Sequence, residues 1–222
     1  AVLFDTGLGI KDIKKVAEEL YAGEITVINS HCHLDHIGNN WRFDKVVVFD
    51  DGYALHTAAA GVPHEMIADQ AAEEAFSGGY PEGFSPEDLY CRPYNAVTAR
   101  DGDVFDLGDR KLEYIHTPGH SQDCVMLYDR SEGILLAGDM IYRGALYAMF
   151  DDPLYGRSDL GLYIDSIQKL AGMCPEIRAI YASHNDCMVE PAMLKRMAGD
   201  MSAIRQGKAA GAAIDREQYG FK

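Results

Sequence analysis

The sequence predicts a layered α/β domain, and three features carry the prediction. The first fifty residues alternate strand, helix, strand, loop, strand. From Asp101 onward, short apolar segments are separated by turn residues in the manner of hairpins. Two amphipathic segments, near 160–173 and after Glu190-Pro191, read as helices that cover a sheet.

Val2, Leu3 and Phe4 form the first strand, which stops at the turn Asp5-Thr6-Gly7. A helix is expected over 11–22, with Ile13, Val16, Ala17, Leu20 and Tyr21 along its apolar face and Gly23 just past its end. Ile25, Thr26, Val27 and Ile28 have the β-branched content of a buried strand, and Val46-Val47-Val48 is too uniformly apolar to face water. Residues 52–100 break the rhythm. They are rich in helix formers over 58–75, pass through a Gly/Pro loop at 77–84, and offer Ser85-Pro86 as a helix start. This stretch reads as a helical insertion, serving either as a cap over a site or as a structural excursion. Segments 104–108 and 111–116 pair around a Gly-Asp turn, and 124–128 with 134–137 form a second hairpin. Residues 142–157 are loop-like and aromatic, a last strand spans 179–182, and the tail past Gly207 is small and polar and expected to fray.

A chain of 222 residues is most economically one domain spanning 1–222 with its insertion. The formal charge of −15, without a Lys/Arg cluster, argues against nucleic acid as a partner. No apolar run reaches the roughly 18 residues of a membrane span, so no membrane partner is expected. Five scattered cysteines with no CxxC spacing suggest free thiols in a reducing compartment. With no signal peptide visible, the expectation is a cytoplasmic protein acting on a small-molecule substrate. The chain opens on a strand without an initiator Met, so residues are expected to precede Ala1 in some form. A bare sheet edge there would be covered by those residues or by a second chain in a homodimer.

Chemistry concentrates at strand ends. His31, His33, Asp35 and His36 fall within six residues, directly after the second strand. His31 and His33 project to one side if the extended geometry continues, while Asp35 and His36 turn toward a second point. Two clusters of nitrogen and oxygen donors this close suit two adjacent metal ions. His120, Asp139 and His184 also follow predicted strands, and Asp5 follows the first. In α/β architectures sites form outside the carboxyl ends of strands. Each residue alone has a plain alternative as a turn, cap or core residue; the joint pattern is what points to a metal centre. His56, His64 and His116 are left over, the last as a packed residue within its strand.

The order Asp5-Thr6-Gly7, His31-x-His33-x-Asp35-His36, His120 after Thr117-Pro118-Gly119, Asp139 after Gly138, and His184 resembles the metallo-β-lactamase-fold hydrolases over essentially the whole chain. That resemblance implies a four-layer αββα sandwich with a two-metal site at one edge. By it, one metal takes His31, His33 and His120; the other takes Asp35, His36 and His184; Asp139 bridges; and Asp5 orients a ligand. Asp rather than Cys at 139 resembles the glyoxalase II-like and lactonase-like branch. Its nitrogen/oxygen donor set suits zinc, with iron and manganese also tolerated. The additional helical domain that binds glutathione in authentic glyoxalase II is not expected in this sequence, which counts against a glutathione thioester.

The implied chemistry is hydrolysis of an ester, thioester or lactone by a hydroxide bridging two divalent ions. Asp35 is placed to accept or pass a proton. Tyr142 matches a residue resembling the oxyanion-polarising Tyr of metal-dependent lactonases, with a core or rim aromatic as its alternative. Arg143 reads as a surface Arg, and Tyr147, Phe150 and Tyr155 as packing or pocket walls. A mononuclear iron sulfur dioxygenase of the same fold and a phosphodiesterase are the competing readings.

Overall fold

The computed structural model describes residues 1–173 and 176–208. The expected fraying past Gly207 falls mostly outside them. Four strands form the first sheet, all parallel: β1 (Val2–Phe4), β2 (Thr26–Ile28), β3 (Val46–Phe49) and β4 (Ala96–Ala99), side by side in that order. The second sheet contains β5 (Val104–Asp106), β6 (Lys111–His116), β7 (Val125–Asp129), β8 (Ile134–Leu136), β11 (Ala179–Tyr181) and β12 (Met188–Val189). Its neighbours run antiparallel except for the parallel pair β8 and β11. Between β8 and β11 the chain makes a two-residue ladder, β9 (Asp151–Asp152) with β10 (Gly156–Arg157), and then the helix α5 (Leu160–Met173).

Period-two alternation sorts the strand side chains into layers. Val27, Val46 and Val48 face outward, onto a cluster with Ala54, Ala58 and Ile67. Ile28 and Val47 face inward and meet Val125, Leu127 and Tyr114 of the second sheet. Met126 and Tyr128, one step out of phase, face the other way onto Tyr163, Ile167 and Leu170 of α5 and Leu194 and Met197 of the last helix, α6 (Ala192–Arg205). Three apolar interfaces therefore separate four layers: helices, sheet, sheet, helices. This is the αββα sandwich that the resemblance implied.

Several elements differ from the sequence reading. The first helix, α1, is shorter (Ile13–Leu20), started by Asp12, whose carboxylate accepts from Lys15 N–H at 3.3 Å, and ended by extended Tyr21. Ile13 packs on the core, but Val16, Leu20 and Tyr21 are exposed. No described element covers that face. Over 52–95 the long helical run breaks into α3 (Gly52–Ala60), α4 (His64–Ile67) and three-residue or four-residue 3₁₀ turns. Gly61, at φ 68°, and Pro63 end α3 where helix propensity alone would continue it. Ser85-Pro86 begins a 3₁₀ turn rather than an α-helix. These pieces build the outer layer of the sandwich, and β4, unnoticed in an Ala-Val-Thr-Ala segment, returns the chain to the first sheet. The short helix α2 (Leu34–Ile37) carries Asp35 and His36. No helix among the described residues is long and apolar enough to cross a membrane.

Candidate metal centre

The sandwich brings the carboxyl ends of five strands to one edge. Asp5 follows β1, the His31–His36 stretch follows β2, His120 follows β6, Asp139 follows β8 and His184 follows β11. Main-chain bonds lock these ends together: Val125 N–H donates to Ser30 O at 2.7 Å, and Ser183 N–H to Gly138 O at 3.2 Å. Gly138, at φ 52°, sits where a Cβ would lie 2.7 Å from Ser30 Cβ. Glycine is needed there for both its dihedral and its closeness to the neighbouring loop.

All seven residues singled out as ligands converge. Asp139 lies at the middle. Its Oδ2 is 3.0 Å from His184 Nε2, 3.6 Å from His120 Nε2 and 4.0 Å from His31 Nε2, and its Oδ1 is 3.3 Å from His36 Nε2. Asp35 Oδ2 is 3.2 Å from His184 Nε2 and 3.6 Å from His36 Nε2. Donor atoms of His31, His33 and His120 lie within 4.8 Å of one another, as do those of His31, His36 and Asp139, and those of Asp35, His36 and His184. The first group is buried, whereas Asp35 and His184 present an open side.

A second ring of polar groups sets which nitrogen faces inward. His36 Nδ1–H donates to Asp5 Oδ2 at 2.8 Å. Ser30 donates its hydroxyl to Asp5 Oδ2 and its N–H to Asp5 Oδ1, both at 2.7 Å, and receives His31 Nδ1–H at 2.9 Å. Asp5 therefore orients two histidines, one directly and one through Ser30. It does so from a left-handed backbone conformation, φ 66°. His33 Nε2–H donates to the Tyr155 carbonyl at 2.8 Å and His120 Nδ1–H to the Tyr147 carbonyl at 2.9 Å. With those outer protons assigned, unprotonated His31 Nε2, His33 Nδ1, His36 Nε2 and His120 Nε2 are left facing the centre.

These residues fit divalent cations. His31 Nε2, His36 Nε2 and Asp139 Oδ1 are buried without a hydrogen-bond partner. His33 Nδ1 and His120 Nε2, both acceptors in these tautomers, face each other at 3.1 Å, an arrangement that repels unless positive charge lies beside it. Titration behaviour agrees. Burial, with His120 nearby, pulls His33 down to about 3, and burial with His36 and His33 lowers His31. Burial raises the Asp35 and Asp139 carboxyls, but the surrounding histidines outweigh it, holding Asp35 at about 2 and Asp139 well below the usual carboxylate range. Hydrogen bonds to Asp139 and Asp35 lift His184 to about 9. Burial opposes the charged form of His36, yet Asp35, Asp139 and Asp5 raise it. Without a metal, the ionised carboxylates are thus matched by positive charge on His36 and His184, whose place a bound cation would take.

Above it opens a cavity of about 570 Å³, within the range of small-molecule sites. Tyr142, Tyr147, Phe150 and Tyr155 line it, with Gln70 from the 52–95 layer. The Tyr142 ring stands edge-on to His184, but its hydroxyl donates to Ala145 O at 2.6 Å rather than to a group of the centre. Arg143 is exposed and paired with Asp186 and Glu190. His116 stacks on Phe49 at 3.8 Å, and His64 bonds Leu89 O; neither joins the centre. Sequence reasoning missed Ser30, although its place beside His31 was a usable signal. It also missed Asp123, a buried carboxylate that accepts from Cys32 N–H at 2.9 Å and from the Ser121 hydroxyl at 2.5 Å, tying the His31–His33 and His120 loops together. The Tyr147 and Tyr155 carbonyls had no signal, because main-chain groups are the same at every position.

Comparison with known proteins agrees with this geometry. The acyl-coenzyme A thioesterase MBLAC2 of Homo sapiens is 29% identical over 158 residues, covering 65% of this chain and 56% of that protein. A hydroxyacylglutathione hydrolase of Synechocystis sp. is 25% identical over 146 residues, covering 64% and 45%. The chain thus spans about half the length of these curated relatives. A metallo-β-lactamase family protein of Thermus thermophilus shares the fold with a TM-score of 0.59 at 23% identity, over 93% of this chain and 71% of that one. Residues 1–184 match the metallo-β-lactamase superfamily, to which this chain belongs.

Proposed function

We propose that this protein is a metal-dependent hydrolase that cleaves an ester, thioester or lactone of a small substrate. The observation that carries the reading is the convergence of five histidines and two carboxylates, with the outer nitrogens of His31, His33, His36 and His120 already anchored, on the floor of an aromatic cavity. Two divalent ions, zinc in our proposal, would be held by His31, His33 and His120 on one side and Asp35, His36 and His184 on the other, with Asp139 between. Such ions supply a Lewis acid for the carbonyl and a water acidified toward neutral pH. The acyl-coenzyme A thioesterase and hydroxyacylglutathione hydrolase among the relatives support an acyl substrate.

The chain's own residues do the rest. Asp35, at the open side of the centre and 3.2 Å from His184, can take a proton and hand it toward a departing alkoxide or thiolate. Asp5 and Ser30 hold His36 and His31 in one tautomer, so the donor set needs no rearrangement to engage cations. Tyr142 can reach a carbonyl oxygen only by giving up its bond to Ala145, so we assign it to the cavity wall.

The test combines elemental analysis with a substrate panel: a thioester, a lactone, a phosphodiester and a persulfide. Two equivalents of zinc, iron or manganese with acyl turnover are expected. His33→Ala and Asp139→Ala are expected to abolish turnover and lower metal content while the far-ultraviolet dichroism is kept. One equivalent of iron with oxygen uptake on the persulfide would move the protein to the dioxygenase class. Full activity in either variant, or no metal after reconstitution, would overturn the assignment.

A further inference from the structure

The loop between Asp139 and α5 does more than close the fold. Phe150 and Tyr155 stack at 4.9 Å and 26°, and Tyr147 lies 6.0 Å from Phe150 at 22°. These rings begin at the metal ligands. Phe150 stands edge-on to His33 at 5.3 Å and to His120 at 5.6 Å. The wall therefore rises from the His33–His120 end of the centre, while the His184 end carries Asn185 and Asp35 beside the single ring of Tyr142.

The loop is held in shape. Asp152 Oδ1 accepts from Leu154 N–H and Tyr155 N–H, both at 2.8 Å, and Tyr53 donates its hydroxyl to Leu154 O at 2.8 Å. Ser158 N–H donates to Phe150 O at 2.8 Å, and the Ser158 hydroxyl to His120 O at 2.6 Å. An aromatic surface fixed in advance binds without the entropic cost of ordering it. Among the described residues, no Lys or Arg lines the cavity. An anionic group placed on the aromatic wall would lose its hydration without gaining a cationic side chain there.

We propose that residues 147–155 form an acyl subsite that selects uncharged, apolar acyl groups and rejects anionic ones, the acyl chain lying on Phe150 and Tyr155 and the leaving group departing past His184 and Asn185. This rests on the hydrolase reading above. Burying one methylene is worth a factor of about four in kcat/KM. A chain that covers both rings, about six carbons beyond the carbonyl, therefore gains on the order of 10³ over acetyl if every carbon is buried.

Thioesters of N-acetylcysteamine, whose thiol is uncharged, test this on the metal-loaded protein with acetyl, butyryl, octanoyl and succinyl groups. The expected result is a rise from acetyl to octanoyl and a succinyl rate at least about a hundredfold below butyryl. Phe150→Ala is expected to cut the octanoyl-to-acetyl ratio by about tenfold or more, and Phe150→Leu, which keeps an apolar side chain, to recover most of it. Equal rates for all lengths, succinyl as good as butyryl, or an unchanged ratio in Phe150→Ala would overturn the proposal. Calorimetric titration with octanamide gives a readout apart from turnover. Binding with a negative heat-capacity change, lost in Phe150→Ala and kept in Phe150→Leu, is expected; no binding to the native protein would count against the subsite. If no thioester, ester or lactone is cleaved, the hydrolase reading fails, and the octanamide titration still decides the wall.

Discussion

Replacing Asp123 tests whether the two ligand loops are held by one buried carboxylate. Asp123 is 1% exposed and accepts two hydrogen bonds, from the Cys32 main chain and the Ser121 hydroxyl. Charge-assisted bonds of this kind contribute about 1.5–3 kcal/mol each. Burial also raises the Asp123 pKa, so the ionised carboxylate carries a desolvation cost that its removal relieves. Asp123→Ala strands Cys32 N–H, which cannot rotate to another acceptor, whereas the Ser121 hydroxyl can. The net loss is expected to be about 3 kcal/mol, or a fall of about 6–12 °C in the Tm for a chain of this size. Asp123→Asn should be milder, about 1 kcal/mol. Its amide oxygen accepts from Cys32, and its NH₂ donates to Ser121 Oγ with the hydroxyl reversed. Thermal melts of the metal-free proteins give the stability term, and a zinc-chelator competition gives the second: His31 and His33 flank Cys32, so Asp123→Ala is expected to weaken zinc by about 10–100-fold. A melt within about 2 °C of wild type for Asp123→Ala, or an Asn variant as unstable as the Ala variant, would refute this role for Asp123.

Other outcomes follow from the same geometry. Gly138→Ala forces a left-handed residue, at about 1–2 kcal/mol, and drives a methyl into Ser30; lower zinc affinity is expected by competition titration, and unchanged affinity would show that Ser30 does not hold His31. Tyr142→Phe loses only the bond to Ala145, so kcat should change by no more than about threefold; a hundredfold fall with KM unchanged would restore its hydroxyl to the reaction. In the metal-free protein, His33 has a folded pKa of about 3 against 6.5 unfolded, so its stability is present above pH 6.5 and lost as pH falls toward 3. At pH 5 the loss is on the order of 2 kcal/mol, and urea midpoints should fall less steeply between pH 7.5 and 5 in His33→Asn than in wild type. His184, raised to about 9, works in the opposite direction: its contribution is full below 6.5 and is lost as pH rises through 9. A His184→Asn variant should therefore show a shallower stability decline between pH 7 and 10, and an unchanged slope would remove His184 from that window.

The residues that were legible in the sequence are those whose role is fixed by side-chain chemistry close to a strand end. Val27, Ile28, Val46, Val47 and Val48 announced buried strands, and the ligand positions at their ends followed. β4 was not legible because Val97 is exposed and Ala96 and Ala99 are small, leaving little of the alternation that marks a strand. α1 misled in the opposite sense. It has a clean apolar stripe, but only Ile13 of that stripe packs on the main core. The 58–75 stretch was read from propensity, which Gly61 and Pro63 overrode. At the centre, ligand side chains were visible while the groups that orient them were divided. Asp5 could be found, Ser30 was marked only by its place beside His31, and Asp123 was indistinguishable from a turn residue until the fold set it against Cys32.

The excursion between Asp139 and α5 holds His33 and His120 through the carbonyls of Tyr155 and Tyr147, while the side chains of the same segment line the cavity. A carbonyl is supplied by whatever amino acid occupies a position, so the two tasks are separable under mutation. Under the proposed hydrolase reading, substrate preference can drift, or be redesigned by randomising side chains at 147, 150 and 155, without asking the candidate metal ligands to be rebuilt. A gene carrying this loop is therefore free to change its diet one codon at a time.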